Sequence, residues 1–205
     1  MIDASSIAAD LAVAERERKA IAPFTDAHPD LDLDTAYAAQ REVVRAKVDA
    51  GQRIVGAKLG LTSRAKQQAM GVDAPLYGWV TSGMLAPFGE PVDVDRLIHP
   101  RVEPEIAFLL GPVSLPPSDL VDLRLLGCVL RLAGEVVATA AGAAVMGHPA
   151  ASVAWLANRL GERGDGLRAG WLVFSGGLTA PVPLVAGRAV TAEFDGLGTV
   201  EAYAL

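Results

Sequence analysis

Hydrophobic residues recur at helical spacing in the first fifty residues of the chain. The apolar positions of residues 4–20 share one face of a helix, for which Ser5 or Ser6 is the expected N-cap. A second helix is predicted over residues 35–50, with Asp34 as its N-cap. The two patterns together indicate a small helical part at the N-terminus.

Past the second helix the pattern changes to short apolar runs broken by glycine and proline. Strands are predicted at residues 54–59 and 102–110, and a hairpin at 126–139. Many short strands with few helices are typical of a β-rich α+β core. The chain is therefore divided into a helical part, residues 1–51, and a β-rich core, residues 52–205.

Composition and charge narrow the classes of partner. The chain has 205 residues and a formal net charge of −6, which argues against nucleic acid as a partner because phosphate binding needs a basic surface. The sequence contains no uncharged apolar run long enough to cross a membrane. The single cysteine, Cys128, and an N-terminal sequence unlike a signal peptide make the cytoplasm the expected location.

Two glutamates form the sharpest chemical motif. On a strand, Glu103 and Glu105 point to the same face, about 6.6–6.8 Å apart along the chain. Adjacent carboxylates repel unless a positive charge lies between them, and oxygen ligands suit Mg²⁺ or Mn²⁺. A solvated edge strand is the alternative interpretation of the same spacing.

A lysine within an apolar strand marks a second candidate site. Lys58 must be paired, extend to solvent, or have a lowered pKa. The turn at Gly60 and the expected N-cap Ser63, which begins a short helix closed by Gly71, could present backbone N–H groups to an anion. An ordinary solvent-reaching lysine is the alternative.

The paired glycines Gly176 and Gly177 form a third candidate, because they allow a ligand to approach the backbone closely, with the Thr179 hydroxyl nearby. A plain tight turn explains the pair equally well. His148 stands at the N-cap position of a helix predicted over 149–163, where a structural role is expected.

Five segments share a family resemblance and occur in the order that the family shows. They are residues 57–66 (AKLGLTSRAK), 70–78 (MGVDAPLYG), 99–107 (HPRVEPEIA), 147–158 (GHPAASVAWLAN) and 194–200 (FDGLGTV). The chain is similar to the hydratase/decarboxylase branch of the fumarylacetoacetate hydrolase superfamily. The resemblance implies a rolled mixed β-sheet core with a small N-terminal helical part.

The same resemblance implies an activity and a set of site residues. The branch contains hydratases of 2-hydroxypenta-2,4-dienoate (2-oxopent-4-enoate) and decarboxylases of 2-oxo-3-hexenedioate (4-oxalocrotonate) in meta-cleavage aromatic degradation. Mg²⁺ or Mn²⁺ on Glu103 and Glu105 would chelate the 2-oxo acid, and Lys58 would act near the developing dienolate. The remaining implied substrate-binding positions are Leu61, Ser63, Lys66, Leu76 and Thr179.

An apolar side chain favours the decarboxylase over the hydratase. Hydratases of the branch usually have an aspartate at the position of Leu76, whereas decarboxylases resemble this chain in having an apolar residue there. A drier site suits the loss of CO₂, whereas hydration needs a polar group that handles water. The hydratase remains the alternative activity.

The chain departs from the family pattern near residues 112–122, where about fifty family residues are absent. In relatives that stretch supplies a third acidic metal ligand, and the nearest carboxylates here, Asp119 and Asp122, stand in a different context. Two explanations are open: an internal segment is missing from this sequence, which the continuous motifs on both sides favour, or the protein is a shortened, non-catalytic paralogue acting as a partner subunit. The resemblance also implies a homo-oligomer, with the pathway hydratase as a further partner.

Overall fold

The computed structural model describes residues 2–111 and 122–205, which form an α+β fold. Asp119 and most of the expected gap near 112–122 lie outside the described residues. None of the helices in the described ranges is long and apolar enough to cross a membrane. The helices are α1 (Ala4–Glu17), α2 (Phe24–Ala27), α3 (Leu33–Asp49), α4 (Arg64–Met70) and α5 (Pro149–Gly161).

Helix α1 begins at Ala4 as predicted and α3 begins at Leu33, two residues earlier than predicted, while the N-cap of each helix differs from the predicted residue. Asp3, not Ser5 or Ser6, is the N-cap of α1, and Asp32, not Asp34, is the N-cap of α3. Each cap carboxylate accepts a hydrogen bond from the backbone N–H three residues later, at 2.8 and 2.7 Å. Aspartate and serine are equally favourable N-cap residues. The N-cap is therefore the residue that has extended backbone immediately before the first helical turn.

The shorter helices follow their predicted signals. Ser63 caps α4 with its side chain, and Gly71 ends this helix in the left-handed conformation at φ 67°. His148 caps α5, because its side chain accepts a hydrogen bond from the N–H of Ala150 at 3.0 Å. The structural role expected for His148 is therefore confirmed.

In the part of the chain that the structure describes, ten short strands form two four-stranded sheets and one two-stranded pair. The first sheet has the order β2-β1-β7-β4, the second sheet has the order β10-β9-β5-β6, and β3 pairs with β8. The first sheet is mixed, because β1 and β7 run parallel. The strands are β1 (Ile54–Gly60), β2 (Leu76–Thr81), β3 (Arg101–Val102), β4 (Ala107–Leu109), β5 (Gly127–Leu132), β6 (Glu135–Ala141), β7 (Leu172–Phe174), β8 (Val182–Pro183), β9 (Ala189–Phe194) and β10 (Gly198–Tyr203).

The prediction of one long strand over residues 102–110 is wrong. It is two short strands, β3 and β4, separated by an irregular segment at 103–106. Pro104 has no backbone N–H to donate to a neighbouring strand. Its carbonyl oxygen accepts a hydrogen bond from the N–H of Leu178 at 2.9 Å. Ile106 accepts in the same way from Ser175 at 3.0 Å. The segment is therefore attached to the turn after β7.

The hairpin of β5 and β6 is confirmed. Ala133 and Gly134 at its tip both have positive φ, 50° and 88°, as a two-residue turn of type I′ requires. Cys128 on β5 is buried, as expected of a small core residue.

Two apolar clusters lie on the two sheets. One packs the second sheet, around Leu130 and Val190. The other packs one face of the first sheet against α5, through Leu59, Leu156 and Val173. Helix α3 joins this cluster, because the ring of its Tyr37 stacks on Tyr77 of β2 with ring centroids 4.8 Å apart. The N-terminal helical part is thus packed directly on the first sheet.

Candidate active site

Four charged side chains meet where the first sheet borders the turn after β7. Lys58 comes from β1, Lys66 from α4, and Glu103 and Glu105 from the segment between β3 and β4. Each carboxylate forms an ion pair with one lysine. The sequence had placed the two glutamates together, and the structure adds a cation to each.

Glu105 is the buried member of the group, with 7% of its side chain exposed. Its carboxylate accepts hydrogen bonds from the Lys58 ammonium and, at 3.0 Å, from the N–H of Gly176. Burial raises the pKa of Glu105 above its usual value of 4.5, although the positive charge of Lys58 acts in the opposite direction. The protein therefore holds this carboxylate where added positive charge would stabilise its ionised form.

Glu103 is held by Lys66 at the more open end of the group. The Lys66 ammonium donates to Glu103 Oε1 at 2.6 Å and to the carbonyl oxygen of Gly177 at 3.1 Å. About three-quarters of each of the two charged side chains is buried, with exposures of 23% for Glu103 and 24% for Lys66. A carboxylate oxygen and a carbonyl oxygen thus surround one cation position.

Side chains of the protein lie close to both glycines of the turn, and a Cβ at Gly177 would displace the Glu103 carboxylate from its position. A Cβ on Gly177 would lie 2.3 Å from Glu103 Oε1. Gly176 has φ 102°, and a Cβ there would lie 2.2 Å from Thr62 Oγ1. The close approach expected at this pair is therefore present, and the approaching groups are side chains of the protein itself.

The sequence predicted that alternation along a strand would bring Glu103 and Glu105 together. This prediction is wrong. Residues 103–106 lie outside any strand, so alternation along a strand does not set their directions. The two carboxylates are oriented instead by their lysines and by the Gly176–Gly177 turn. The solvated edge strand considered as the alternative is also wrong, because Glu105 is buried.

A cavity of about 590 Å³ opens in front of these groups, and we call it the reactive cavity. Lys58, Glu103 and Glu105 form its polar end. Its remaining wall is mostly apolar and comes from both sheets. Representative apolar residues are Val80, Val102, Phe174 and Phe194.

Arg101 also lines the reactive cavity, although sequence reasoning gave it no role. Its position two residues before Glu103 was the signal that could have found it. Two buried hydroxyl groups beside the turn, on Thr62 and Ser175, have no hydrogen-bond partner among the described residues. These polar positions were likewise missed.

The other expected substrate-binding residues lie around the turn and the start of β2. Leu61 has φ 54°, and the Ser63 hydroxyl accepts from the N–H of Lys66 at 3.2 Å as the cap of α4. Thr179 is buried and donates to the carbonyl of Ala180 at 2.9 Å, while Leu76 is 42% exposed. Their roles in substrate binding stay predictions.

Two carboxylates are the acidic groups that could bind a hard divalent cation at this site. No group of three or more acidic, histidine or cysteine side chains forms a metal site within residues 2–111 and 122–205. Asp122 is bound to Arg124 at 2.9 Å and supplies no third carboxylate. The carboxylates of Glu103 and Glu105 nevertheless border one cavity, and carboxylate oxygens are ligands that Mg²⁺ prefers, although a cation there would have to displace Lys58 and Lys66 from them.

Known proteins match this chain over nearly its whole length. The model of the fumarylacetoacetate (FAA) hydrolase C-terminal family matches residues 104–203. The chain is 36% identical over 242 residues to 4-oxalocrotonate decarboxylase from Pseudomonas putida, with 92% of each chain covered. It is 32% identical over 235 residues to 2-keto-4-pentenoate hydratase from Paraburkholderia xenovorans, covering 89% of this chain and 87% of the relative.

Solved structures of a decarboxylase share the fold. The 4-oxalocrotonate decarboxylase from Pseudomonas putida G7, complexed with magnesium and adipate, superposes with a TM-score of 0.90 at 34% identity. The match covers 98% of this chain and 97% of that one. The same enzyme complexed with calcium and acetate gives a TM-score of 0.90 at 35% identity.

The alignment also contains a gap in this chain. It runs over 242 residues, whereas 92% of the 205 residues here is about 189, so about fifty aligned positions have no counterpart. Their placement near residues 112–122 stays a prediction. Identity, coverage and fold agree, and the chain belongs to the fumarylacetoacetate hydrolase family, whose relatives here are a decarboxylase complexed with magnesium or calcium and several hydratases.

Proposed function

We propose that this protein is a divalent-metal-dependent decarboxylase that converts 2-oxo-3-hexenedioate (4-oxalocrotonate) into 2-hydroxypenta-2,4-dienoate and CO₂. One observation carries the proposal. Glu103, Glu105 and Lys58 share one end of an apolar cavity, in a chain 36% identical to a 4-oxalocrotonate decarboxylase. The similarity supplies the reaction, and the cavity supplies residues suited to it.

Glu103 and Glu105 are the residues that would hold the metal. Their oxygen atoms suit Mg²⁺ or Mn²⁺, and the structure of the similar decarboxylase is complexed with magnesium and adipate. When bound, the ion supplies a Lewis acid for the 2-oxo group. Lys58 and Lys66 neutralise these carboxylates, and a cation in that role would leave both ammonium groups available to substrate.

Lys58 is the proposed catalytic residue. In the reaction the bond between C5 and C6 breaks, C6 leaves as CO₂, and the electron pair moves through the conjugated chain to the oxygen on C2. A proton on that oxygen then gives the dienol product. The Lys58 ammonium borders the cavity beside Glu105, where its charge stabilises the dienolate and its N–H supplies this proton.

The apolar wall of the reactive cavity favours loss of the distal carboxylate. A carboxylate placed against Val102, Phe174 and Phe194 loses its hydration, while CO₂ is neutral and needs none. Lys66 and Thr179 are proposed to bind the substrate carboxylate that remains. Arg101 at the cavity margin is a further candidate for this role.

Product analysis separates decarboxylation from its alternatives. Purified protein is given 2-oxo-3-hexenedioate with Mg²⁺ or Mn²⁺, and products are followed by nuclear magnetic resonance. Formation of 2-hydroxypenta-2,4-dienoate is the expected result. Hydration of added 2-hydroxypenta-2,4-dienoate without decarboxylation would assign the hydratase activity of the relative that is 32% identical. A folded protein inactive in both assays would identify a non-catalytic subunit.

We also propose that the protein is an oligomer in the cytoplasm, with the pathway hydratase as a partner. Large apolar side chains are exposed on the single chain, including Phe88 at 90% and Leu109 at 71%. Such surface is commonly covered in assemblies. Light scattering after size-exclusion chromatography, with and without the hydratase, tests both associations, and a monomer under both conditions would contradict them.

A further inference from the structure

A second cavity lies on the opposite face of the first sheet from the reactive cavity. Alternation along β2 separates the two, because Val80 lines the reactive cavity while Trp79 lines the other. The second cavity has a volume of about 1000 Å³ and is bordered by α3, β2 and the segment after α5. None of the groups proposed for decarboxylation lines it.

Positive charge is concentrated in this cavity, although the chain carries a net charge of −6. Five of the fourteen arginines of the sequence line it, against two aspartates, and we call it the arginine cavity. The five are Arg41, Arg45, Arg53, Arg163 and Arg168.

Only part of this charge is balanced by the protein. Arg163 pairs with Asp34 at 3.0 Å, and Arg45 lies 3.8 Å from Asp49. Arg41, Arg53 and Arg168 form no ion pair with any carboxylate in residues 2–111 or 122–205. Unbalanced guanidinium groups around a concave surface attract an anion, and their planar forks suit oxygen pairs.

Aromatic rings form the apolar part of the same cavity. Trp79 and Trp171 lie edge to face with ring centroids 5.4 Å apart, and the guanidinium of Arg168 lies 5.5 Å from the Trp171 ring. Flat indole surfaces next to cations suit a ligand that is itself flat and anionic. The cavity volume is in the range of small-molecule sites.

We infer that the arginine cavity binds a planar organic dicarboxylate, at a site separate from the reactive cavity. A carboxylate is favoured over a phosphate because no glycine of the described residues lines the cavity, whereas phosphate sites commonly use glycine-rich backbone. Arg41 on α3, Arg53 before β1 and Arg168 after α5 supply three unbalanced positive charges from separate elements, enough for the two negative charges of a dicarboxylate. This inference does not depend on the proposed reaction.

Calorimetric titration with terephthalate tests the site. The parent protein is used in EDTA, so that no metal ion binds in the reactive cavity and Lys58 and Lys66 stay paired with Glu105 and Glu103. Binding in the micromolar range is expected, weakening as NaCl increases. The non-aromatic trans-cyclohexane-1,4-dicarboxylate, which has the same charge, is expected to bind less tightly because it cannot stack.

Matched arginine variants locate the binding. Arg41→Gln with Arg53→Gln is expected to weaken terephthalate binding at least about tenfold. Arg96→Gln with Arg188→Gln removes the same charge elsewhere on the surface and should leave the affinity unchanged. Equal weakening of terephthalate binding in the two double variants would contradict binding in the arginine cavity. The absence of binding heat in the parent protein would also contradict it. Tighter binding of adenosine monophosphate than of terephthalate would overturn the carboxylate assignment.

Discussion

Gly177 determines how closely the turn after β7 approaches the Glu103 carboxylate. The space that a Cβ would need at Gly177 is filled by Glu103 Oε1, at 2.3 Å, and the Gly177 carbonyl accepts from Lys66. A rigid backbone and a carboxylate with a fixed partner cannot both move aside without cost. The orientation of one proposed metal ligand thus depends on a residue without a side chain.

Gly177→Ala is therefore expected to displace Glu103 and weaken Mn²⁺ binding by about tenfold or more. Gly161→Ala is the matched control, because a Cβ at Gly161 meets no atom within 4 Å. Both variants are measured by metal titration calorimetry and thermal unfolding. Equal Mn²⁺ affinity in the two variants would contradict the role assigned to Gly177.

Leu76 tests the choice between the two activities of the family. It is 42% exposed at the start of β2, so an aspartate there can be hydrated without a large cost in stability. Leu76→Asp is expected to lower CO₂ release about tenfold, equivalent to about 1.4 kcal/mol in the barrier. The variant should also gain hydration of 2-hydroxypenta-2,4-dienoate, with Leu76→Asn as control, and unchanged ratios of the two products would argue against this position.

Among the elements, helix α3 provides a local test of how its boundary is set. Asp32 accepts the capping hydrogen bond from Thr35, whereas Asp34 forms an exposed ion pair with Arg163. Asp32→Ala is expected to lower the thermal midpoint more than Asp34→Ala, because a cap is lost in one case and a surface pair in the other. A larger decrease in the thermal midpoint from Asp34→Ala would support Asp34 as the N-cap of α3, as the sequence had predicted.

The same cap has a defined pH dependence. Hydrogen bonds from Thr35 lower the pKa of Asp32 below 3.8 in the folded protein. Its contribution to folding is therefore present above pH 3.8 and is lost as the pH falls through the lowered pKa. The stability difference between the parent protein and Asp32→Ala should shrink in acid, as measured by urea unfolding at several pH values. A difference that does not change between pH 6 and strong acid would contradict the charged cap.

Elements with strong local signals were predictable from the sequence. Alanine and glycine at the tip of the β5–β6 hairpin, and the Ser63 and Gly71 boundaries of α4, act through their own backbone and side chains. The break at residues 103–106 depends on hydrogen bonds to a turn about seventy residues later. Periodicity within one segment contains no information about such a partner.

On the scale of the whole molecule, the mixed first sheet separates two cavities of different chemistry. The sequence identified the residues of the reactive end, Lys58, Glu103 and Glu105, through their types and their family resemblance. It did not predict that Lys66 would reach Glu103, because α4 and the β3–β4 segment meet only in the folded chain. The arginine cavity was missed for the same reason, since its arginines come from separate elements.

The central claim is metal-dependent decarboxylation at Glu103 and Glu105, and release of labelled CO₂ tests it most directly. The substrate is 2-oxo-3-hexenedioate carrying ¹³C at C6, given with Mg²⁺ or with EDTA. The account predicts ¹³CO₂ with Mg²⁺, none with EDTA, and a loss of at least about a hundredfold in Glu103→Gln, with the exposed Glu90→Gln as control. Release that persists in EDTA, or no release from folded protein supplied with Mg²⁺, would contradict it.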